Sequence, residues 1–419
     1  MDKTAQYEIK DITLAEQGAK NIELAESHMS ALLTIKKRFE KELPFKGLRI
    51  GMALHVTKET AVLVRTLKAG GAQVAITGCN PLSTQDDVAA ALAKEGVMIW
   101  AYKGETKQDY YRYLTNVIKT KPHYTIDDGM DLVSEIHKNH KDLIKNIIAG
   151  AEETTTGIIR LKAMEKDKAL KYPIIAVNDN KTKHLLDNYY GTGQSTIDGI
   201  LRATNILFAG KTVVVCGYGS CGKGVALRAK GLGANVIVTE VNSFRALQAA
   251  YDGYQVMPIA KAALVGDVFI TVTGNKNVID LNHMQTMKSG AILANAGHFD
   301  AEINVEGLEK KAKKRQIRPF MDEYVLHGKK IFVLGQGRLI NLAAAEGHPS
   351  EVMATSFCGQ ALAAEYAIKN KGKFKQMVIQ LPEEIDDMIA MLQLQAMGIT
   401  IDQLTKEQKK YLETWQEGT

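Results

Sequence analysis

The sequence predicts an α/β architecture of two doubly wound parallel sheets, with a Rossmann-type domain inserted into a second domain, and three observations lead there. From Leu48 onward, short apolar runs alternate with helical segments, the pattern of a parallel sheet covered by helices. A β-branched run then drives into a glycine ladder, Thr212-Val-Val-Val-Cys-Gly217-Tyr-Gly219-Ser-Cys-Gly222-Lys-Gly224. The alternation resumes beyond it, and a helical pattern from Ser350 to Lys369 can return the chain to the first domain.

The ladder reads as strand, phosphate loop and helix start. Gly217 makes the tight turn, Gly219 lets backbone approach a pyrophosphate, and Gly222 allows close helix–strand packing. Helix N-terminal N–H groups then aim at anionic oxygens. The context agrees: residues 223–232 form a helical pattern closed by Gly233, and the next strand, 235–239, ends in Glu240, placed for a ribose diol.

A chain of 419 residues is expected to form two or three domains. The net charge of +6 with 24% charged residues lacks the clustered excess of a nucleic-acid binder. The one basic run, Lys310 to Arg318, reads as a solvated helix end. Cys79, Cys216, Cys221 and Cys358 show neither a CxxC pair nor metal-ligand spacing, so no disulfide framework and no metal site are expected, and a reducing cytoplasm fits. Met1 to Thr4 lack a signal-peptide pattern and no apolar run reaches membrane-spanning length, so neither export nor a membrane partner is expected.

In chain order, Thr13 to Glu16 form a capping box that opens one amphipathic helix, with Ile22, Ala25, Met29, Leu32 and Phe39 on its apolar stripe toward Leu43-Pro44. Strands are expected at residues 49–54, 73–77, 97–102, 123–127, 146–151 and 174–177. Open α/β sheets bind ligands at the carboxyl ends of their strands, and the residues there are polar. They are His55 and Thr57, then Asp127, Asp128 and Asp131, then Glu152, Glu153 and Thr154 to Thr156, and finally Asn178. Each alone also reads as a helix cap; their joint placement on one sheet edge makes them site candidates.

The connecting stretch Asp179 to Gly193 carries Lys183, Asp187 and Asn188, and by residue type alone Lys183 belongs on a solvated surface helix. A helix at 197–208 leads into the ladder, and further strands follow at 267–273, 291–295 and 331–334. His298, after the 291–295 run, reads equally as a turn residue or an acid–base group. The charged tail from Lys406, with Trp415, reads as a surface or interface helix.

His55-x-Thr-x-Glu59-Thr, Ser83-Thr-Gln-Asp-Asp87, Asp127-Asp-Gly-Met-Asp131, Glu152-Glu-Thr-Thr-Thr-Gly157, Lys183 to Asn188, the ladder, Gly297-His-Phe-Asp300 and Gly347-His-Pro349 together resemble the S-adenosylhomocysteine hydrolase family over nearly the whole chain. The resemblance implies a substrate-binding domain at 1–180 and 350–385, an NAD domain at 193–347, and a tail at 386–419 lying at a subunit interface. It also implies hinges near Asp179 to Gly193 and Gly347 to Ala354, a tightly bound NAD, and a homotetramer. The implied reaction is reversible hydrolysis of S-adenosyl-L-homocysteine to adenosine and homocysteine, part of methyl metabolism.

That reaction gives the residues physical sense. A thioether on C5′ leaves poorly, and C4′–H is not acidic until oxidation of the 3′-hydroxyl places a ketone beside it. Elimination, water addition and reduction of the ketone then complete the cycle. By resemblance, Lys183 takes the 3′-hydroxyl proton, with a pKa lowered by burial and neighbours, and Asp187 and Asn188 place it. Glu153 holds the ribose hydroxyls; Asp131, His55 and His298 share acid–base work at C4′ and C5′. Thr57, Glu59 and His348 recognise the purine. Glu240 holds the adenosine ribose of NAD, with Gly217, Gly219 and Gly222 at its phosphates. Thr154, Thr155, Thr156, Asn178, Asn188, Asn275 and Asn341 complete the cofactor side.

The sequence departs from the family in three places. Thr192 stands where a Cys is common near the nicotinamide, so redox tuning by a thiol is not expected. Asn242 and Arg245 replace the usual Asp and Asn near the adenosine ribose, although acidic Glu240 argues for NAD over NADP. The sequence lacks the Lys- and Tyr-containing tail of many members, matching a shorter subgroup in which looser cofactor retention is expected and some members prefer an inosyl substrate. Two other readings share the architecture: a two-domain NAD-dependent dehydrogenase and a non-catalytic NAD-binding regulator.

Overall fold

Two eight-stranded sheets organise the chain in the computed structural model, which describes residues 6–416. The signal-peptide reading of Met1 to Thr4 therefore lies outside the described residues. The first sheet runs Tyr7–Glu8, Met98–Trp100, Gln73–Thr77, Arg49–Ala53, Tyr124–Asp127, Ala149–Glu152, Ile174–Ala176 and Val378–Ile379, with every neighbouring pair parallel. The second runs Gln255–Val256, Asn235–Thr239, Thr212–Cys216, Val268–Thr271, Ala291–Asn295 and Lys329–Leu334 in parallel, then Met321–Leu326 and Lys313–Arg318 antiparallel.

In both sheets the strand order reverses beside the first long strand: between Arg49–Ala53 and Tyr124–Asp127 in one, and between Thr212–Cys216 and Val268–Thr271 in the other. Loops leaving such a reversal diverge and open a crevice at the carboxyl ends. His55 and Asp128 leave the first reversal; Gly217 and Thr273 leave the second. Apolar clusters cover both faces of each sheet, which is why the strands read as continuous hydrophobic runs. The helix Ser350–Lys369 returns to the first domain, where it packs on the helices Ser30–Glu42 and Lys58–Ala69.

Several local expectations change. The opening segment is two helices, Ala15–His28 and Ser30–Glu42, because Met29 leaves helical geometry with its side chain fully buried. Asp11, rather than Thr13, makes the cap, accepting the Thr13 N–H at 2.9 Å ahead of a short 3₁₀ turn. Only the start of the basic run is helix end, since Lys313–Arg318 is an exposed antiparallel edge strand. Its charges suit an edge that must not recruit another strand.

The expected boundary at residue 386 runs through the helix Glu383–Ala396, whose Ile389 is fully buried in the first domain's core. Asp386 of that helix accepts the Lys181 N–H at 2.6 Å and the Thr182 N–H at 3.2 Å, anchoring the stretch that carries Lys183.

Gly222 has no spare room, because a Cβ there would lie 2.0 Å from the Gly217 carbonyl oxygen. Gly222→Ala is expected to cost about 1–3 kcal/mol and to lower the dinucleotide content of the purified protein. Thermal unfolding and nucleotide released on denaturation measure the two effects.

Candidate active site

The carboxyl ends of the two sheets face one another across a cavity of about 860 Å³. One wall carries His55, Thr57, Glu59, Asp128 and Glu153; the other carries Gly217, Gly219, Glu240, His298 and Asn341. Contacts such as Lys58 Nζ to Glu346 at 2.8 Å and Lys103 Nζ to the Ala343 carbonyl at 2.8 Å hold the walls together at the rim.

Lys183 sits on a π-helix, Thr182–Gly191, where the sequence alone suggested a solvated surface. The wide turn of a π-helix, rare and concentrated at functional sites, brings residues four and five positions ahead beneath the same amine. Lys183 Nζ meets Asp187 Oδ2 at 2.5 Å and donates to Asn188 Oδ1 at 2.8 Å, with Glu153 Oε1 at 3.6 Å. Only 5% of Lys183 is exposed, so these groups decide its charge. Burial works against the ammonium, but Asp187 and then Glu153 outweigh it and hold the lysine above its ordinary range. The expected lowering is thus reversed in this state. Asp187 is likewise opposed by burial yet held well below the usual carboxylate range by Lys183 and His348, whose Nδ1 bonds Asp187 Oδ1.

The second cluster joins the two domains. Asp128 Oδ2 lies 3.5 Å from His55 Nε2, and its Oδ1 lies 3.4 Å from His298 Nδ1. His55 Nδ1 is 2.7 Å from Ser83 Oγ, which donates its own proton to the Asn80 carbonyl. Ser83 must then accept from Nδ1–H, a tautomer assigned from this network that leaves Nε2 as an acceptor in the cavity. Burial foremost pushes His55 down to about 4, Asp128 opposing, so the imidazole is neutral at pH 7. His298 is held in place by Asn295, whose Nδ2 donates to the carbonyls of Gly297, Phe299 and Gly337.

Glu153 offers carboxylate oxygens to the helix Ser350–Lys369: Ser356 Oγ donates to Oε1, and Gln360 Nε2 donates to Oε2 at 2.5 Å. Nearby, Ser350 Oγ donates to Glu59 Oε1 at 2.7 Å, and Thr57 caps the helix Lys58–Ala69 while lining the cavity. His348 lies at the same junction, its Nε2 3.3 Å from Thr192 Oγ1.

The opposite half fits a dinucleotide. A Cβ on Gly219 would find no atom nearer than Arg245 Nη1 at 3.7 Å, leaving backbone open to the cavity at the start of the helix Ser220–Gly231. The Glu240 carboxylate collects the N–H groups of Tyr218, Val241 and Asn242 at 2.7, 2.7 and 2.9 Å and remains on the cavity wall. Asn341 donates to Ser195 Oγ at 3.2 Å, whereas its Oδ1 is buried without a hydrogen-bond partner among the described residues. An unspent acceptor on the wall suits a carboxamide N–H. Thr154, Thr155, Thr156, Asn188 and Asn275 line the same space.

Three expected residues act from behind the wall, and one thiol appears on it. Asp131 lies outside the cavity lining: it opens the helix Asp131–Asn139, accepts from Tyr110 Oη at 3.0 Å, and pairs with Arg160 at 2.8 Å. The carboxylate between the imidazoles is Asp128. Asn178 takes the Asn188 amide at 3.1 Å and donates to Thr155 Oγ1 at 3.1 Å, and Gly222 is a packing glycine. Although Thr192 lacks a thiol, Cys221 lines the cavity beside it, its pKa raised by burial and eased by a hydrogen bond to Thr192. That neighbour comes from another helix, seated closely because a Cβ on Gly193 would lie 2.6 Å from Gly224 backbone.

Fold and site define a class: a two-domain enzyme with a dinucleotide site on one wall of a cleft, a buried lysine facing it, and a cluster of two imidazoles and a carboxylate drawn from both walls. The S-adenosyl-L-homocysteine hydrolase family model matches residues 6–148, and the model of that family's NAD binding domain matches residues 188–347. The chain is 60% identical to S-inosyl-L-homocysteine hydrolase of Methanocaldococcus jannaschii over 99% of this chain and 100% of that protein. It is 58% identical to adenosylhomocysteinase of Sulfolobus acidocaldarius, with 99% and 100% covered, and 56% identical to that of Aquifex aeolicus, again with 99% and 100% covered. The chain belongs to the S-adenosyl-L-homocysteine hydrolase family and is a hydrolase with NAD as cofactor.

Gly129 follows Asp128 with φ of +100°, and a Cβ there would lie 2.1 Å from His298 Nε2. Gly129→Ala is expected to push the two domains' acid–base groups apart. Turnover should fall at least ~10²-fold, the scale of one lost general acid–base contribution, with NAD content retained, as read by steady-state kinetics beside cofactor analysis.

Proposed function

We propose that the chain reversibly hydrolyses S-adenosyl-L-homocysteine to adenosine and homocysteine, with a methyl-cycle role in the cytoplasm, as a homotetramer. The observation that carries the proposal is the meeting of Lys183–Asp187 with His55–Asp128–His298 in the cavity that also holds the dinucleotide half-site. A dehydrogenase needs only the first pair.

When bound, NAD would supply reversible hydride chemistry at C3′, held by the Gly217–Gly219 loop and Glu240. Lys183 exchanges the proton of the 3′-oxygen. As an ammonium it is ready to protonate that oxygen in the reductive half; the oxidative half requires it to release a proton, for which Asp187 at 2.5 Å and His348 beyond provide the path. Glu153 accepts from the ribose hydroxyls. Once C3′ is a ketone, neutral His55 takes the C4′ proton through Nε2, and Asp128 and His298 deliver a proton to the departing thiolate and draw one from the incoming water. The cleft walls shield the ketone from solvent.

At the base, Ser350 occupies Glu59 Oε1, which leaves Oε2 to accept from an exocyclic amine. This supports an adenosyl substrate. The name of the M. jannaschii relative motivates the inosyl alternative, and comparing kcat/KM for the two thioethers decides between them. For the tail, 91% exposure of Trp415 and 70% exposure of Leu412 support a subunit contact, checked by light-scattering mass.

Holoenzyme given adenosine in heavy water is expected to exchange the C4′ hydrogen and, with homocysteine added, to form the thioether. No exchange, or NADH accumulating beyond one equivalent per subunit, would exclude the hydrolase reading in favour of a dehydrogenase. Lys183→Met is expected to slow cofactor reduction by about 10²–10⁴-fold, read at the NADH absorbance. An unchanged rate would remove Lys183 from the chemistry.

Burial foremost pushes the Glu153 carboxyl up to about 6, against the pull of Lys183. Its accepting form is therefore lost as pH falls through about 6, and kcat/KM for adenosine should fall with it. Glu153→Gln should weaken ribose binding and remove that acid limb from the profile.

A further inference from the structure

Behind Asp128 lie two carboxyl groups that the mechanism above does not use. Asp127 and Glu152 end adjacent parallel strands, paired Cα to Cα, and both are 0% exposed. Their hydrogen bonds differ in kind. Asp127 uses both oxygens as acceptors: Oδ1 takes the Asp128 N–H at 3.0 Å and Oδ2 takes the Val133 N–H at 2.8 Å. Glu152 uses one: Oε1 takes the Gly129 N–H at 2.8 Å and the Thr154 N–H at 3.1 Å, while buried Oε2 has no partner among the described residues.

Asp127 has N–H donors on both oxygens, as suits an ionised carboxylate, whereas Glu152 has them on one oxygen only, so of the two it is the less costly to protonate. We propose that Asp127 and Glu152 are positioning residues that hold one proton between them, on Glu152 Oε2, and together set the Asp128–Gly129 turn so that Asp128 stands between the two imidazoles. The inference rests on the hydrolase reading of that cluster.

The turn needs such a brace. Gly129 and Met130 both have positive φ, at +100° and +72°, a region costly for a residue such as Met. Arg160 donates to the Gly129 carbonyl, so Glu152 holds the peptide before Gly129 and Arg160 the peptide after it. Two ionised carboxylates buried side by side would repel, and keeping one proton removes that cost. Burial foremost pushes both carboxyls up from their ordinary values, with Asp131 and Asp128 adding to it at Asp127, and Asp127 and Asp128 at Glu152.

The test separates charge from shape at each position in NAD-loaded enzyme. Glu152→Gln keeps an acceptor at Oε1 and puts an N–H donor where the proton sits. It is expected to retain C4′ exchange in heavy water within about threefold of the parent. Glu152→Met, of similar size but without an acceptor, and Asp127→Asn, which trades one acceptor for a donor, are expected to slow that exchange at least tenfold. In Asp127→Asn, NADH formed on adding adenosine should keep its amplitude, because Lys183 lies on a different element. Infrared difference spectra should show a protonated carboxyl band in the parent that is absent from Glu152→Gln.

Equal losses in Glu152→Gln and Glu152→Met, or full exchange in Asp127→Asn, would overturn the assignment. If Glu152→Met does not fold, the infrared band and the Gln and Asn variants decide alone. Absence of C4′ exchange in the parent enzyme would count against the hydrolase reading itself, a distinguishable result.

Discussion

Asp187 is the carboxylate on which the rest of the site depends. One of its oxygens meets Lys183 and the other meets His348, so a single buried charge joins the π-helix to the segment where the chain leaves the dinucleotide domain. Both segments were expected to be hinges. Removing one partner from a buried ion pair costs about 3–5 kcal/mol, so neither can move far without Asp187 finding another partner. Lys183 and the crossing between domains therefore share one electrostatic constraint. An α-helix would already bring Asp187, four residues on, toward Lys183; the wider turn of the π-helix brings Asn188 there as well.

The same economy appears at the domain junction. Asp128 comes from the first sheet's order reversal, and His298 comes from the strand next to Val268–Thr271 in the second sheet. The acid–base cluster is complete only where the two domains meet. The dinucleotide half could serve any dehydrogenase. Joining that half to His55 and Asp128 of the opposite wall turns a redox step into a way of making C4′–H acidic, and the cofactor returns to its starting state within each turnover.

Much of the fold was legible because its signals are local. The ladder, the β-branched strands and Glu240 lie within one continuous stretch, and strand-end polarity marked both His55 and Glu153. What went astray depended on neighbours remote in sequence. Asp128 and Asp131 are three residues apart and chemically identical; only the turn through Gly129 and Met130 sends one to the imidazoles and the other to Tyr110 and Arg160. Residue type put Lys183 on a solvated helix and the resemblance implied a lowered pKa; neither carries the balance by which Asp187 and Glu153 outweigh burial and raise it. Cys221 escaped notice because it meets Thr192 across a glycine contact between two helices.

By itself the sequence determined two parallel-sheet domains, the dinucleotide site and the family, since periodicity, glycine spacing and motif order survive without any contact. Tertiary structure alone decided which carboxylate stands between His55 and His298, the charge of Lys183, and the unequal hydrogen bonding of Asp127 and Glu152. Those outcomes depend on distances of a few ångströms between elements brought together by folding. Burial in low dielectric then magnifies small differences in neighbours into different protonation states.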